Sequence, residues 1–243
     1  GANGKSVFLD IISDIMGNYA MTMQAQTIMV KQNQSAANSD IARLKGARLV
    51  TSSEPNEGVR LDEGLVKQLT GGDKVTARQL YGKEFEFEPE FKLWLATNHR
   101  PIIRGTDDGI WRRLNLIPFT VQVPEEKKDK MLKYKLRTEL VGILKWAVEG
   151  CLMWQREGLK PPQSVLQASN EYRAEMDQIG QFVSECCEIG PGRTIAGGEI
   201  YKIYKEWAVE NGEHVFNNTK FGRELSKRYS KRKSHGIAIY EGI

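Results

Sequence analysis

A chain of 243 residues, 40% apolar and 27% charged, has material for one large domain, or for a medium domain with a small companion, and either buries a real core. No stretch approaches the roughly 18 uninterrupted apolar residues of a membrane span and no charged-then-apolar leader opens the sequence, so membrane and secreted proteins are not expected. The net charge of +4 is too mild to identify a partner, but its distribution is uneven: Lys220, Arg223, Lys227, Arg228, Lys231, Arg232 and Lys233 face the single acid Glu224. The cysteines Cys151, Cys186 and Cys187 form no CxxC pair, and the adjacent two would make only a strained disulfide, so reduced thiols in a cytoplasmic setting are expected. His99, His214 and His235 are scattered and give no zinc constellation.

Taken in chain order, Gly1-Ala2-Asn3-Gly4-Lys5-Ser6 is followed by Val7, Phe8, Ile11, Ile12, Ile15 and Met16 at helical spacing, closed by Gly17. A second helix is predicted from Asn38 or Ser39 to Gly46, and Ala47 to Ser53 reads as a short buried strand ending at Glu54. Leu61 to Leu69 suits a helix ended by Gly71-Gly72. Alternation from Thr76 to Glu88 around Tyr81-Gly82-Lys83 predicts a β-hairpin with its tip near Gly82, and Phe91 to Thr97 predicts a strand that delivers Asn98 to a sheet edge. Leu114 to Phe119 reads as a last strand. Beyond Val123-Pro124 the texture changes: Lys133 to Arg156 is helical, with Leu136, Leu140, Ile143, Leu144, Ala147 and Leu152 on one face, and Ser164 to Glu175 follows after Pro161-Pro162. Helices around Glu199 to Asn211 and Thr219 to Tyr229 and a strand from Gly236 to Tyr240 complete the tail.

A phosphate loop needs glycine amides converging on the phosphates, a lysine to neutralise the outer ones and a hydroxyl on magnesium. Gly4-Lys5-Ser6 at the head of an amphipathic helix supplies these, and the first glycine of the full pattern and its leading strand would precede residue 1. Hydrolysis further needs a carboxylate to orient water or hold the metal, a polar group sensing the terminal phosphate and a cation for the transition state. Glu54, Asn98 and Arg113 form a candidate set, two of them at strand ends. Taken singly, each also suits a structural part: a solvated loop acid, a turn former and a salt-bridged strand residue.

In order, Lys5-Ser6, Leu49 to Glu54, Lys67-Gln68-Leu69-Thr70-Gly71-Gly72-Asp73 with Arg78, Leu93 to Asn98 with Pro101, and Trp111-Arg112-Arg113 with Pro118-Phe119 resemble a superfamily 3 helicase of the phage, plasmid and poxvirus primase-helicase group. Ile200 to Trp207 and Phe221 to Leu225 resemble that group's C-terminal winged-helix-like domain. The resemblance implies an α/β fold: an AAA+ P-loop sheet with flanking helices over residues 1–122, a helical segment over 123–177 and the winged-helix-like domain over 178–243. It also implies a ring, commonly a homohexamer, that spends ATP with Mg2+ to move on single-stranded or forked DNA, without a membrane partner, in the cytoplasm of a bacterial host. Carried onto this sequence, Gly1, Asn3, Gly4, Lys5 and Ser6 bind nucleotide, Ser6 and Glu54 serve the metal, Glu54 is the catalytic carboxylate and Asn98 the sensor. The arginine finger falls on Arg113, which directly precedes an apolar stretch, or on Arg112. Many relatives have two adjacent acids where this chain has Ser53-Glu54, so the metal depends on Ser6, Glu54 and water.

The resemblance puts a DNA-contacting hairpin before the sensor strand, where the alternation independently places one. Lys83 is the expected phosphate contact at the tip, and Tyr81 could stack on a base or simply pack. Lys220, Arg223, Lys227, Arg228, Lys231 and Lys233, with Tyr229 interleaved, suit a recognition helix and wing on DNA. Two other readings stay open: a DNA-binding replication-initiation module whose nucleotide site controls assembly, and a non-motor P-loop enzyme such as a small-molecule kinase.

Overall fold

In a computed structural model, residues 3–30, 37–53, 57–105 and 107–243 are described. The chain divides into two compact units, residues 1–172 and 173–243.

The first unit is built on a parallel sheet of β1 (Ala20–Thr22), β2 (Leu49–Ser53) and β5 (Lys92–Ala96), in the order β1-β2-β5. A parallel sheet is covered on both faces, which is why Leu49, Val50 and Ser52 of β2 are all buried and Thr51 is half-buried. Register pairs Leu49 with Lys92 and Ser53 with Ala96, so β2 and β5 end side by side. Helix α1 (Lys5–Met16) lies against this sheet and buries Ile11, while Phe8 packs 5.6 Å from Trp94 and 6.2 Å from Phe119.

Helix α2 (Ala37–Ala42) leads through a turn at Gly46 into β2, and α3 (Glu63–Thr70) is capped by the Asp62 carboxylate, which accepts the Leu65 amide at 3.0 Å. Gly71-Gly72 ends α3 and feeds β3 (Val75–Arg78), which pairs antiparallel with β4 (Glu84–Phe87). The expected hairpin is therefore present, with Tyr81-Gly82 in its turn. The short helix α4 (Asp108–Trp111) precedes the arginine pair.

Two expectations fail here. Leu114 to Phe119 is not a strand: the Leu114 amide donates to Trp111 O at 3.1 Å and the Leu116 amide to Ser169 Oγ at 2.9 Å, so neither is available to a ladder. Lys133 to Arg156 is not one helix but α5 (Leu132–Thr138) and α6 (Leu140–Glu157), broken at Glu139, with the Thr138 hydroxyl donating to Lys135 O at 2.7 Å. Leu136, Leu140, Ile143 and Ala147 are half-buried, whereas Leu144 and Leu152 are exposed, so the expected apolar face is only partly covered among the described residues. α5 is tied to α1 by Lys133 on Asp10 and Arg137 on Asp14, both at 2.7 Å. The Arg137 hydrogen bond holds the Asp14 carboxyl below its ordinary pKa. Helix α7 (Gln163–Glu175) buries Val165, Ala168 and Tyr172, and Tyr172 packs edge-on against Trp111 at 5.4 Å and donates its hydroxyl to Pro101 O.

The second unit comprises α8 (Gln178–Cys186), β6 (Thr194–Ala196), α9 (Gly197–Glu210), α10 (Asn218–Ser226), β7 (Ser230–Ser234) and β8 (Ile237–Glu241). The strands form an antiparallel sheet in the order β6-β8-β7. Its core is aromatic: Phe182, Tyr204, Phe221 and Tyr240 are fully buried with Ile179, Ile200 and Leu225, and the Tyr204 and Phe221 rings stack at 4.5 Å. Among the described residues no helix is long and apolar enough to cross a membrane.

Candidate nucleotide site and basic surfaces

Gly4 precedes α1 with φ +86°, a left-handed conformation that glycine adopts at little cost and that starts the helix without a side-chain cap. The amides of the first turn have no helical acceptor and converge outward, and the Ser6 side chain is exposed beside them. Asn3 Nδ2 donates to Phe119 O at 2.9 Å, fixing the approach to the loop. Across 93 residues of sequence, Lys5 Nζ donates to Asn98 Oδ1 at 2.9 Å. Two polar groups that the motif series sets far apart in sequence thus meet, because β5 ends where α1 begins. Gly1 and Glu54 lie outside the described residues. Ser53, next to Glu54 in sequence, lines a cavity of roughly 270 Å3 with Thr22, Gln24, Asp40 and Arg43 at the C-terminal edge of β1 and β2. Ser52 Oγ, fully buried beneath that edge, has no hydrogen-bond partner among the described residues. A backbone cradle, a lysine and a hydroxyl form a donor set that fits a phosphate chain with its divalent ion.

The arginines differ. Arg112 is exposed, whereas Arg113 is half-buried and turned onto its own chain, with Nη1 donating to Gly109 O at 2.5 Å and a buried Nε that has no partner among the described residues. Tyr81 and Lys83 stand at the β3–β4 turn. Tyr81 is 98% exposed with φ +61°, a conformation a β-carbon disfavours, so the turn holds an aromatic ring in water at a conformational cost. Leu80 beside it is 76% exposed.

In the second unit, four of the six cations expected to meet DNA are engaged by their own chain. Lys220 Nζ sits 3.6 Å from the Phe216 ring centre, Lys227 pairs with Glu224 at 2.7 Å, Arg223 approaches the same carboxylate at 3.6 Å, and Arg228 pairs with Asp177 at 2.6 Å. Glu224 is buried and offsets Lys227 and Arg223. On β7, Ser230 to Lys233 are exposed, and pleating sends Lys231 and Lys233 to one face and Arg232, paired with Glu241 at 2.6 Å, to the other.

Residues 1–113 match a family of unknown function (DUF5906), and residues 174–240 match the poxvirus D5 protein-like family. A protein of Frog virus 3 (isolate Goorha) with a provisional helicase name is 31% identical over 233 residues, which is 88% of this chain and 24% of that protein. A protein of Acanthamoeba polyphaga mimivirus, also provisionally named a helicase, is 29% identical over 87% of this chain and 24% of its own length. One of African swine fever virus (strain Badajoz 1971 Vero-adapted), provisionally named a primase, is 29% identical over 87% and 24%. The chain is a primase-helicase family member. It spans about a quarter of the length of these relatives. Among solved structures, the apo A form of the NrS-1 C-terminal region aligns over 100% of this chain and 64% of its own, with 13% identity and a TM-score of 0.45.

One cluster in this primase-helicase chain escapes the motif reading. The Glu63 carboxylate accepts the backbone amides of Arg104 and Gly105, both at 3.0 Å, and Lys67 Nζ contacts both oxygens of Asp107 at 2.9 Å. Asp107 in turn caps α4 by accepting the Gly109 amide at 2.8 Å, and the Lys67 hydrogen bond holds its carboxyl below the ordinary pKa. Glu63 and Lys67 stand four apart with the acid first, which in isolation reads as a pair within one helix. Asp107-Asp108-Gly109 does carry a helix-start signal that could have drawn attention to this segment.

Proposed function

We propose that this chain is the motor part of a superfamily 3, AAA+-type replication helicase that hydrolyses ATP between subunits of a ring and moves along single-stranded or forked DNA. In this reading residues 1–122 are the ATPase core, 123–177 a helical segment and 178–243 a winged-helix-like domain. The viral relatives favour replication of a large DNA virus genome over the phage or mobile-element setting, and the bacterial cytoplasm, expected from the sequence.

The hydrogen bond from Lys5 to Asn98 carries the proposal. A lysine behind a left-handed glycine and an amide at the end of a neighbouring parallel strand together match the two halves of a phosphate site. When bound, magnesium ATP supplies the anhydride to be cleaved and the metal's charge. The Lys5 ammonium neutralises outer phosphate oxygens, the Ser6 hydroxyl and the Glu54 carboxylate hold the metal, and Glu54 takes the proton of the attacking water. The Asn98 amide orients that water, and Arg113, or Arg112, offsets charge at the site of the neighbouring subunit.

Because β4 runs on toward β5, the Tyr81-Lys83 turn and Asn98 lie at opposite ends of one stretch of backbone, which supports coupling between phosphate state and DNA grip. Purified full-length protein is expected to hydrolyse ATP with stimulation by single-stranded DNA, and Lys5→Ala to abolish it. Glu54→Gln should retain ATP binding and lose turnover. DNA-independent turnover in wild-type protein, or full turnover in Lys5→Ala, defeats the motor reading. In mixed assemblies Arg113→Ala subunits should poison wild-type ones, an effect absent from an enzyme acting as a monomer.

A further inference from the structure

The segment from Ile102 to Arg113 is bound to α3 at a series of points. Leu61, just before the helix, donates its amide to Ile102 O at 3.0 Å, and Ile102 returns its own amide to Val59 O at 2.8 Å. Two residues later, at the start of the helix, Glu63 takes the amides of Arg104 and Gly105. A further turn on, Lys67 grips Asp107. At the end of the helix Gly71 brings bare backbone to Arg113: a β-carbon built there would sit 3.5 Å from Arg113 Nη2. Gly105 likewise leaves room for the Glu63 carboxylate, since a β-carbon there would meet Glu63 Oε2 at 2.0 Å. Each turn of one face of α3 therefore holds a successive part of the arginine segment. Trp111 closes the segment on itself by donating Nε1 to Gly105 O at 2.9 Å.

We propose that α3 is the positioning element for the arginine pair, with Glu63 and the Lys67–Asp107 ion pair acting on Arg113 through the 104–113 segment; this rests on the reading of Arg113 as the residue serving the neighbouring ATP. Charge development on a transferring phosphoryl group is met effectively only by a cation already in place, so loosening its support lowers turnover without touching ground-state binding. The nucleotide cradle is on a different element, so Lys5 and Ser6 keep their places when Lys67 or Asp107 is changed. Helix α3 continues through Gly71-Gly72 into β3, the first strand of the hairpin. The element that holds the arginine therefore leads directly to the turn that carries Tyr81 and Lys83.

Full-length protein carrying Lys67→Met, Asp107→Asn, Arg113→Ala or the exchanged pair Lys67→Asp/Asp107→Lys would be assayed for ATP turnover and for binding of a fluorescent ATP analogue. The first two are expected to lose kcat about tenfold. Nucleotide affinity should stay within about twofold of wild type. The exchanged pair restores the charge contact but not the Asp107 cap on the Gly109 amide, so it should recover part of the kcat loss with nucleotide affinity unchanged, and no recovery at all would overturn the part given to the ion pair. Gly105→Ala provides an independent perturbation should the exchanged pair fail to fold, and it should give the same split between turnover and affinity. If Arg113→Ala is impaired while Lys67→Met and Asp107→Asn turn over normally, the positioning role is overturned and the arginine reading stands. Normal turnover by Arg113→Ala overturns the arginine reading itself. A parallel loss of nucleotide affinity in Lys67→Met overturns the positioning role.

Discussion

A methyl group at Gly71 would lie 2.7 Å from Lys67 O and 3.2 Å from Asp73 Oδ2 as well as against the Arg113 guanidinium. The first of these is backbone and cannot rotate away, so Gly71→Ala is expected to lower stability by about 1–3 kcal/mol, read as a fall in the melting midpoint. Asp107 makes a second prediction. Its folded-state pKa lies below the ordinary carboxylate value, so the contribution of its charge to stability is complete above that ordinary value and is lost as pH falls through the folded one. Acid titration of the melting midpoint should therefore show a component absent from Asp107→Asn. At this scale the motif series set out which residues would form a nucleotide site, and of these Lys5 and Asn98 do meet. It could not tell that Arg113 would turn inward, because the acceptor that holds it is a backbone carbonyl, and every residue has one.

Among elements, those with strong periodicity were legible: α1, β2, the β3–β4 hairpin, β5 and α9 all arise where apolar spacing predicts them. Leu114 to Phe119 misled because an apolar run specifies a wish for burial, whereas a strand also needs a neighbour offering free amides and carbonyls, and here Trp111 and Ser169 take those amides. β7 was invisible for the opposite reason: Ser-Lys-Arg-Lys-Ser carries no apolar alternation, and only pairing with β8 makes it a strand. In the aromatic core, the Tyr204 hydroxyl accepts the buried Phe216 amide at 3.1 Å. Tyr204→Phe keeps the ring but orphans that donor, and is expected to cost about 1–3 kcal/mol in the unfolding free energy measured with denaturant. Asn217→Ala, which removes the cap of α10 at Lys220 N, should cost about 1 kcal/mol by the same measurement.

For the whole molecule, the division into residues 1–172 and 173–243 matters because each unit carries its own buried apolar cluster. Residues 173–243 expressed alone are accordingly expected to unfold in a single cooperative transition with dispersed amide resonances. Lys220, Arg223, Lys227 and Arg228 have close partners in their own chain, whereas Lys231, 5.5 Å from the Tyr240 ring centre, and Lys233 are exposed, and this divides the proposed DNA contacts. Replacing Lys231 and Lys233 together by alanine should weaken binding to DNA of any sequence and reduce the salt slope of the affinity by about 1–2. Arg228→Ala should instead register mainly as lost stability, through Asp177. A slope unchanged by the double replacement would remove β7 from the interface.

Pairing with β8 holds the β7 ribbon while Ser230 to Lys233 stay exposed, so a change of charge at Lys233 should leave the aromatic core beneath undisturbed. The surface charge of this ribbon can thus be rewritten one side chain at a time on a support that stays the same.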